Sequence, residues 1–336
     1  MKILITGGGG FIGSHLAEAH LADGHEVWAV DTGMNLKVRH LLANPKFHYV
    51  KASVTEPEAL EAFVIRCDLV YHHAAVVGVE HYVDDPFNVL NVNIQGSLNV
   101  FRLAHRHGKR VVFASTSEVY GRNPKVPWKE DDDRVLGATT TDRWCYSTSK
   151  AAAEHYGWAY RRMGLDLSVV RYFNVYGPRL DKVDVGRVIT IFMGQLLRNE
   201  PLTIIGTGQQ TRCFTYVDDA VRATMAAGLL PEAIGCVFNV GDDRETTILE
   251  LAETMLRCVG REPKDHLKFV TQQSVYGPSY EDILRRVPDI SRMKSILRVK
   301  PEVSLEEGLK TTVAWFRREH ENRPSLTSAS RELGAS

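Results

Sequence analysis

The stretch Thr6-Gly7-Gly8-Gly9-Gly10-Phe11-Ile12-Gly13 decides how the chain is read. Before it runs Lys2-Ile3-Leu4-Ile5, a short apolar and β-branched segment that reads as a buried strand. After it, Ile12, Leu16, Ala17 and Leu21 recur at helical spacing. The glycines therefore occupy a strand-to-helix turn. Gly7, Gly10 and Gly13 divide three tasks: a tight turn, close backbone approach to a pyrophosphate, and close packing of helix on strand. The helix start, at Phe11 and Ile12, turns free N–H groups and a positive dipole end toward that anion. A second strand, Glu26–Val30, ends at Asp31, eighteen positions beyond Gly13, where a ribose-binding carboxylate belongs. Its charge repels a 2′-phosphate, so the dinucleotide expected is NAD rather than NADP, with Lys37 and Arg39 nearby as the cations that oppose this preference.

Outward from this turn the first half alternates strands and helices. Phe47–Val50, Leu69–His73, Arg110–Ala114 and Leu167–Arg171 read as strands, with helical patterns over Glu56–Cys67 and Phe87–His107. The alternation predicts an α/β fold, a Rossmann-type doubly wound parallel sheet with helices on both faces. Ligands of such sheets lie at the carboxyl ends of the strands. That rule selects Gly7 to Gly13, Asp31, Ser53-Val54, Ala74-Ala75-Val76 and Ser115-Thr116-Ser117-Glu118. Beyond Gly177-Pro178-Arg179 the alternation stops, and a smaller interleaved α/β substrate domain is expected. The predicted division is 1–175 for the dinucleotide domain, with 213–243 rejoining it through the strand-like Cys236–Val240. Residues 176–212 and 244–317 form the second domain, and 318–336 an aperiodic tail.

Composition narrows the function classes. Lysine plus arginine and aspartate plus glutamate number 41 each in 336 residues, so no global field favours nucleic acid or an anionic membrane. No apolar run reaches the length of a membrane span. Cys67, Cys145, Cys213, Cys236 and Cys258 are scattered without metal spacing and read as free thiols in a reducing compartment. The chain starts directly on a core strand, with no room for a signal peptide, so a soluble cytoplasmic protein is expected. No metal site is expected: His72 and His73 close a strand and read as core, and Asp131-Asp132-Asp133 reads as a solvated loop.

Chemistry enters at Arg143-Trp144-Cys145-Tyr146-Ser147-Thr148-Ser149-Lys150, which opens a helix running on through Glu154. Tyr146 and Lys150 lie one turn apart on one face. A free phenol has a pKa of about 10 and needs help to act as a base. A lysine cation one turn away, with an oxidised nicotinamide nearby, favours the phenolate. Tyr146 would then take a proton from a substrate hydroxyl while hydride leaves the same carbon.

This combination resembles the nucleotide-sugar branch of the extended short-chain dehydrogenase/reductase family over nearly the whole chain. The resemblance rests on Thr6–Gly13, Asp31, His73-Ala74-Ala75, Asn93, Ser115–Gly121, Tyr146 with Lys150, Arg171–Arg179 and Gly206–Arg212. One departure is Ser53, where many relatives carry an aspartate against the adenine. The resemblance implies that NAD is reduced and reoxidised within one cycle, passing through a 4-keto sugar, in a homodimer packed through helices near Asn88–His107 and Tyr146–Arg162. It implies NAD contacts from Gly7, Gly10, Phe11, Ile12, Gly13, Asp31, Ser53, Val54, Ala74, Ala75, Val76, Asn93, Tyr146 and Lys150.

Thr116-Ser117-Glu118, the Arg143–Lys150 helix and Tyr280–Ile290 are most similar to UDP-glucuronate decarboxylases. That likeness implies Tyr146 as base, Lys150 as its activator, Thr116 or Ser117 on the C4 oxygen, and Glu118 at the sugar ring or at C5. Arg286 would meet the carboxylate, the enolate or the diphosphate; Tyr82, Asn174, Arg187 and Arg212 would bind the remainder of a UDP-linked substrate. The alternatives are a UDP-sugar or UDP-uronate 4-epimerase and then a 4,6-dehydratase. A non-catalytic NAD sensor on the same fold would have lost Tyr146 or Lys150, and both are present.

Overall fold

The computed structural model describes residues 1–33, 36–271 and 285–321. Its central sheet contains β1 (Lys2–Thr6), β2 (Glu26–Asp31), β3 (Phe47–Lys51), β4 (Leu69–His72), β5 (Arg110–Thr116), β6 (Leu167–Tyr172) and a seventh strand, Val237–Val240. The spatial order is Val237–Val240, β6, β5, β4, β1, β2, β3, and every pairing is parallel. The strand run from β1 thus goes one way to β3 and the other way from β4 onward. This reversal between β1 and β4 opens the crevice in which doubly wound sheets bind ligands. The expected return of Cys236–Val240 is realised, with Val237 in register with Val169.

These strands are short apolar runs because both of their faces are covered. Ile3, Leu4 and Ile5 are fully buried, as are Val70, Val111, Phe113 and Val169. The connecting helices are α1 (Phe11–Ala22), α2 (Pro57–Arg66), α3 (Val79–Asp84), α4 (Pro86–Arg106) and α5 (Trp144–Arg162). One core cluster joins Leu4, Val70, Val111 and Val169 of the sheet to Phe101 and Leu103 of α4 and Ala153 of α5. The start of α4 is set by Asp85, whose carboxylate accepts the Asn88 N–H at 3.0 Å, and by Pro86 at the first helical position.

Counted over described residues, the chain forms two compact units. The first takes Met1–Val175, Gln210–Thr246 and Glu281–Val303; the second takes Tyr176–Gln209, Thr247–Tyr280 and Ser304–Ser336. This differs from the sequence reading, which gave all of 244–317 to the second domain. The reason is local pairing: Arg285–Arg286 lies parallel to Thr211–Cys213, and Trp128 forms a bridge with Pro288. The second unit, taken by itself, holds helices Val188–Leu197, Ile248–Cys258 and Leu305–Glu321 and a parallel pair, Leu202–Ile205 with Leu267–Val270. Its helix at Ile248 opens on a capping box, with Thr247 Oγ1 accepting the Glu250 N–H at 3.0 Å and Glu250 accepting the Thr247 N–H at 2.8 Å. The last helix runs to Glu321, into the stretch read as a tail; 322–336 lie outside the described residues. Among the described residues, no helix is long and apolar enough to cross a membrane.

Candidate active site

Between β1 and α1 the chain folds so tightly that only backbone fits. Gly7 has φ +68°, and its N–H donates to the Val30 carbonyl at 2.8 Å. A Cβ on Gly7 would lie 2.6 Å from the Ala74 nitrogen, and one on Gly13 would lie 2.2 Å from the Gly7 oxygen. Helix α1 therefore starts directly on the turn, and no side chain caps its Gly10 end among the described residues. Its first N–H groups, from Phe11 onward, are left for a ligand. Asp31 closes the other side: its carboxylate accepts the Gly9 N–H at 3.0 Å and the Gly33 N–H at 3.3 Å. A glycine cradle, an uncapped helix start and a carboxylate at the end of β2 together fit a dinucleotide.

Several residues expected along this groove have their polar atoms engaged. Ser53 Oγ lies 2.7 Å from Thr55 Oγ1, and the carbonyl of buried Val54 accepts the Asn99 amide at 3.0 Å. The Ala74 N–H donates to Thr6 Oγ1 at 3.3 Å, and Ala75 lies half-buried beside it. Asn93 clamps the Val76 backbone through both of its amide atoms, at 2.8 and 3.2 Å, and donates to Ser149 Oγ at 3.1 Å. It thus links the loop after β4 to α5. His72 bonds Thr6 Oγ1 at 2.7 Å and Ser97 Oγ at 3.0 Å, and His73 bonds the Tyr172 hydroxyl at 2.9 Å. His72 is fully buried and His73 half-buried, both beside Thr6.

Helix α5 carries Tyr146 and Lys150, the pair expected to move the proton. Lys150 is buried; its Nζ donates to the Ala114 carbonyl at 2.8 Å and sits 4.9 Å from the Phe113 ring centroid. Burial pushes its pKa down to about 7, with Glu154 acting in the opposite direction. Tyr146 is also buried and stacks on Tyr82, ring centroids 4.9 Å apart and planes 10° from parallel. The residues around Tyr146 anchor the helix: Ser147 Oγ donates to the Glu118 carbonyl at 2.6 Å, and Ser149 Oγ to the Tyr146 carbonyl at 2.8 Å. Thr116 in turn shapes the end of β5, its Oγ1 accepting the Glu118 N–H at 3.2 Å at the head of a 3₁₀ turn, Ser117–Tyr120.

The turn delivers Glu118 to Arg286. The two form an ion pair through Oε1 and one guanidinium NH, with Arg286 buried. Burial alone would push the Glu118 carboxyl up. Arg286, then Arg143 and Arg212, outweigh that and hold it below the usual carboxylate range. Arg212 stands in register with Arg286 on the neighbouring strand, and its NH1 donates to the Thr211 carbonyl at 2.8 Å. Asn174, at φ +38°, follows β6 and donates to the Cys213 carbonyl at 3.0 Å. Arg187 belongs to the second unit, where it begins helix Val188–Leu197 and pairs with Asp181 at 3.2 Å. Of the stretch Tyr280–Ile290, residues 280–284 lie outside the described residues. The first unit thus assembles Tyr146, Lys150, Thr116, Ser117, Glu118, Arg212 and Arg286 around the ends of β5 and β6.

A buried polar network behind these groups is absent from the sequence reading. Glu154 accepts from Ser115 Oγ and from Arg171, Nε at 3.0 Å and NH2 at 2.6 Å. Arg171 NH1 donates to the Tyr120 hydroxyl and the Glu130 carbonyl, both at 2.8 Å. The signal was present: Arg171 is a charge inside an apolar strand, and Glu154 falls one turn past Lys150. A buried charge of this kind requires a partner.

The arrangement suits oxidation of a buried alcohol, with an ionised carboxylate and several guanidinium groups nearby for an anionic substrate. Comparison with known proteins agrees. The profile of the NAD dependent epimerase/dehydratase family matches residues 3–241. UDP-N-acetyl-alpha-D-glucosaminuronate decarboxylase of Bacillus cytotoxicus is 39% identical over 318 residues, covering 94% of this chain and 98% of that protein. UDP-glucuronic acid decarboxylase 1 of Danio rerio is 38% identical over 326 residues, 96% of this chain and 74% of that protein. Among solved structures, UDP-glucuronic acid 4-epimerase from Bacillus cereus, in complex with UDP-glucuronic acid and NAD, superposes with a TM-score of 0.84. It is 28% identical and covers 95% of this chain and 100% of that one.

Proposed function

The chain belongs to the NAD dependent epimerase/dehydratase family, and on that premise we propose that it decarboxylates a UDP-linked uronate, UDP-glucuronate first, through a transient 4-keto sugar. The observation that carries this reading is the ion pair of half-buried Glu118 with buried Arg286, beside the Tyr146–Lys150 helix. Bound NAD supplies a reversible hydride acceptor for C4. Gly7, Gly10, Phe11, Ile12, Gly13 and Asp31 would hold it, with Ser53, Val54, Ala74, Ala75 and Val76 lining the groove and Asn93 acting through Val76.

Tyr146 takes the proton of the C4 hydroxyl, its phenolate favoured by Lys150. Thr116 and Ser117 hydrogen-bond the C4 oxygen as its charge changes. The resulting ketone leaves the C5 carboxylate in the β position. The C5–C6 bond breaks, carbon dioxide departs, and the bonding pair enters an enolate between C5 and the C4 oxygen. Arg286 pairs with the substrate carboxylate in competition with Glu118, then with the enolate. A proton taken up from solvent with the help of Glu118 is delivered to C5, completing the exchange of carboxylate for hydrogen. Tyr146 returns its proton when C4 regains hydride, so enzyme and cofactor end unchanged. Asn174 and Arg212 are assigned to the diphosphate, for which guanidinium is suited, and Tyr82 to the sugar pocket.

The second reading is 4-epimerisation of the same uronate, favoured by the likeness to the Bacillus cereus enzyme. Incubation with UDP-glucuronate and mass analysis separates them: loss of carbon dioxide is expected, and an unchanged mass with inverted C4 refutes the proposal. Because the Bacillus cytotoxicus relative is named for a 2-acetamido uronate, that nucleotide sugar is run in parallel. Loss of water from a neutral UDP-hexose would indicate a 4,6-dehydratase.

A homodimer through α4 and α5 is part of the proposal, supported by the exposed Phe87 and Tyr156 on those helices. So is a cytoplasmic setting, supported by five unpaired cysteines.

A further inference from the structure

The seventh strand carries a side chain that takes no direct part in the proposed chemistry at C4 and C5. Asn239 is completely buried. Its Oδ1 accepts the Tyr120 hydroxyl at 2.7 Å, and its Nδ2 donates to the Trp128 carbonyl at 2.8 Å and the Asp289 carbonyl at 3.1 Å. Its backbone N–H donates to Glu130 Oε1 at 2.9 Å. An amide in the middle of an apolar strand is costly unless its polar atoms are bonded, and here they are. The partners come from two places. Tyr120 and Trp128 lie on the segment that follows Thr116-Ser117-Glu118; Asp289 lies three residues after Arg286. Those segments are also sewn by backbone, with Trp128 N–H donating to the Val287 carbonyl at 2.8 Å and Asp289 N–H to the Trp128 carbonyl at 2.7 Å.

Arg286 needs such support. Its guanidinium meets Glu118, but its Nε is buried with no hydrogen-bond partner among the described residues. Its strand spans only Arg285–Arg286. The position of the guanidinium therefore depends on where the 287–289 backbone is held. Asn239 fixes that backbone against the segment carrying Glu118. Through Tyr120 and Arg171 the same network reaches Glu154 on α5. We propose that Asn239 is a positioning residue that sets Arg286 against Glu118, and through them governs the steps after C4 oxidation. This rests on the preceding assignment of Glu118 and Arg286 to the chemistry at C5.

The test uses the holoenzyme with UDP-glucuronate under single-turnover conditions. The absorbance of reduced nicotinamide follows the first half of the reaction, and carbon dioxide release follows the second. In Asn239→Ala the first half should hold to within about twofold, and carbon dioxide release should fall on the order of 100-fold, as for a misplaced catalytic group. Adding Asn239→Ala to Arg286→Ala should then slow the second half no further. Tyr120→Phe, which removes one hydroxyl, should give the same pattern at about tenfold, and it carries the test if the Asn239 variant does not fold. Equal loss in both halves, unimpaired carbon dioxide release, or losses that multiply in the double variant overturn the proposal. If the wild type inverts C4 without losing mass, the decarboxylase reading fails instead. The same cycle is then read on epimer formation, where multiplying losses overturn the positioning role and shared losses support it.

Discussion

Replacing Glu154 by glutamine tests how much the buried charge behind Lys150 matters. Glu154 and Arg171 are both buried, and Glu154 receives two guanidinium hydrogen bonds and one from Ser115. Burial works against the Arg171 charge, but Glu154 outweighs it and drives the pKa up, so this guanidinium stays charged. Glutamine keeps the size and one acceptor but removes the counter-charge. Arg171 would be left with neutral acceptors alone, the retained amide oxygen, the Tyr120 hydroxyl and the Glu130 carbonyl. Removing one member of a buried pair costs about 3–5 kcal/mol, and the retained amide oxygen places this variant near 3. Urea unfolding at neutral pH measures it. A loss below about 1 kcal/mol, the scale of an exposed pair, would refute the reasoning. A second readout reports function. Glu154 opposes the burial that depresses Lys150 to about 7, so removing it lowers Lys150 further. Activity that needs a charged Lys150 is present below its pKa and lost above it. The alkaline limb of the pH–rate profile should therefore move to lower pH, and an unmoved limb would restrict Glu154 to stability.

Two other outcomes are expected. Tyr146→Phe removes the proposed base and should lower turnover by roughly 10²–10⁴-fold while NAD, followed by fluorescence, remains bound; retained turnover removes Tyr146 from that role. Acid should unfold the protein early. Burial holds His20 and His73 down to about 3 and His72 well below its ordinary 6.5, so below 6.5 the unfolded chain takes up these protons first. Stability should fall by about 1.4 kcal/mol per pH unit for His20 and for His73 as pH drops from 6.5 toward 3, with His72 acting in the same direction, read as urea midpoints; a flat profile between pH 6.5 and 5 contradicts this.

Legibility followed contact range. The sheet could be read because each strand is a short apolar run, and even the late return of Val237–Val240 carried that pattern. The glycine turn, Asp31, Tyr146 and Lys150 could be read because their meaning lies in local spacing. Glu118 and Arg286 are 168 positions apart, and no spacing rule joins them; only the likeness to decarboxylases put Arg286 forward. Asn93 shows the opposite limit. The resemblance puts it forward as a cofactor contact, but that its amide is spent on Val76 and Ser149 depends on a loop and a helix whose relative placement only the fold determines. The domain boundary at 281–303 was missed for the same reason, since two residues paired with Thr211–Cys213 decide it.

This division has a chemical counterpart. Groups that would oxidise and re-reduce C4 sit within the first 150 residues, at the ends of β1, β2 and β5 and on α5. Arg212 and Arg286, assigned to the anionic substrate, come from late segments that return to the first unit. What anchors Arg286 is a set of buried polar bonds made by Asn239, Tyr120 and Trp128 rather than a local motif. A fold built this way can keep its oxidation half fixed while the late segments change, because the two are joined by a few side chains whose loss leaves the glycine turn and α5 in place. The fate of the ketone would then be set by which late arginine meets Glu118 and by how firmly its backbone is held. Exchanging the 285–290 segment alone, without Asn239 and Trp128, should therefore fail to transfer one family member's outcome to another.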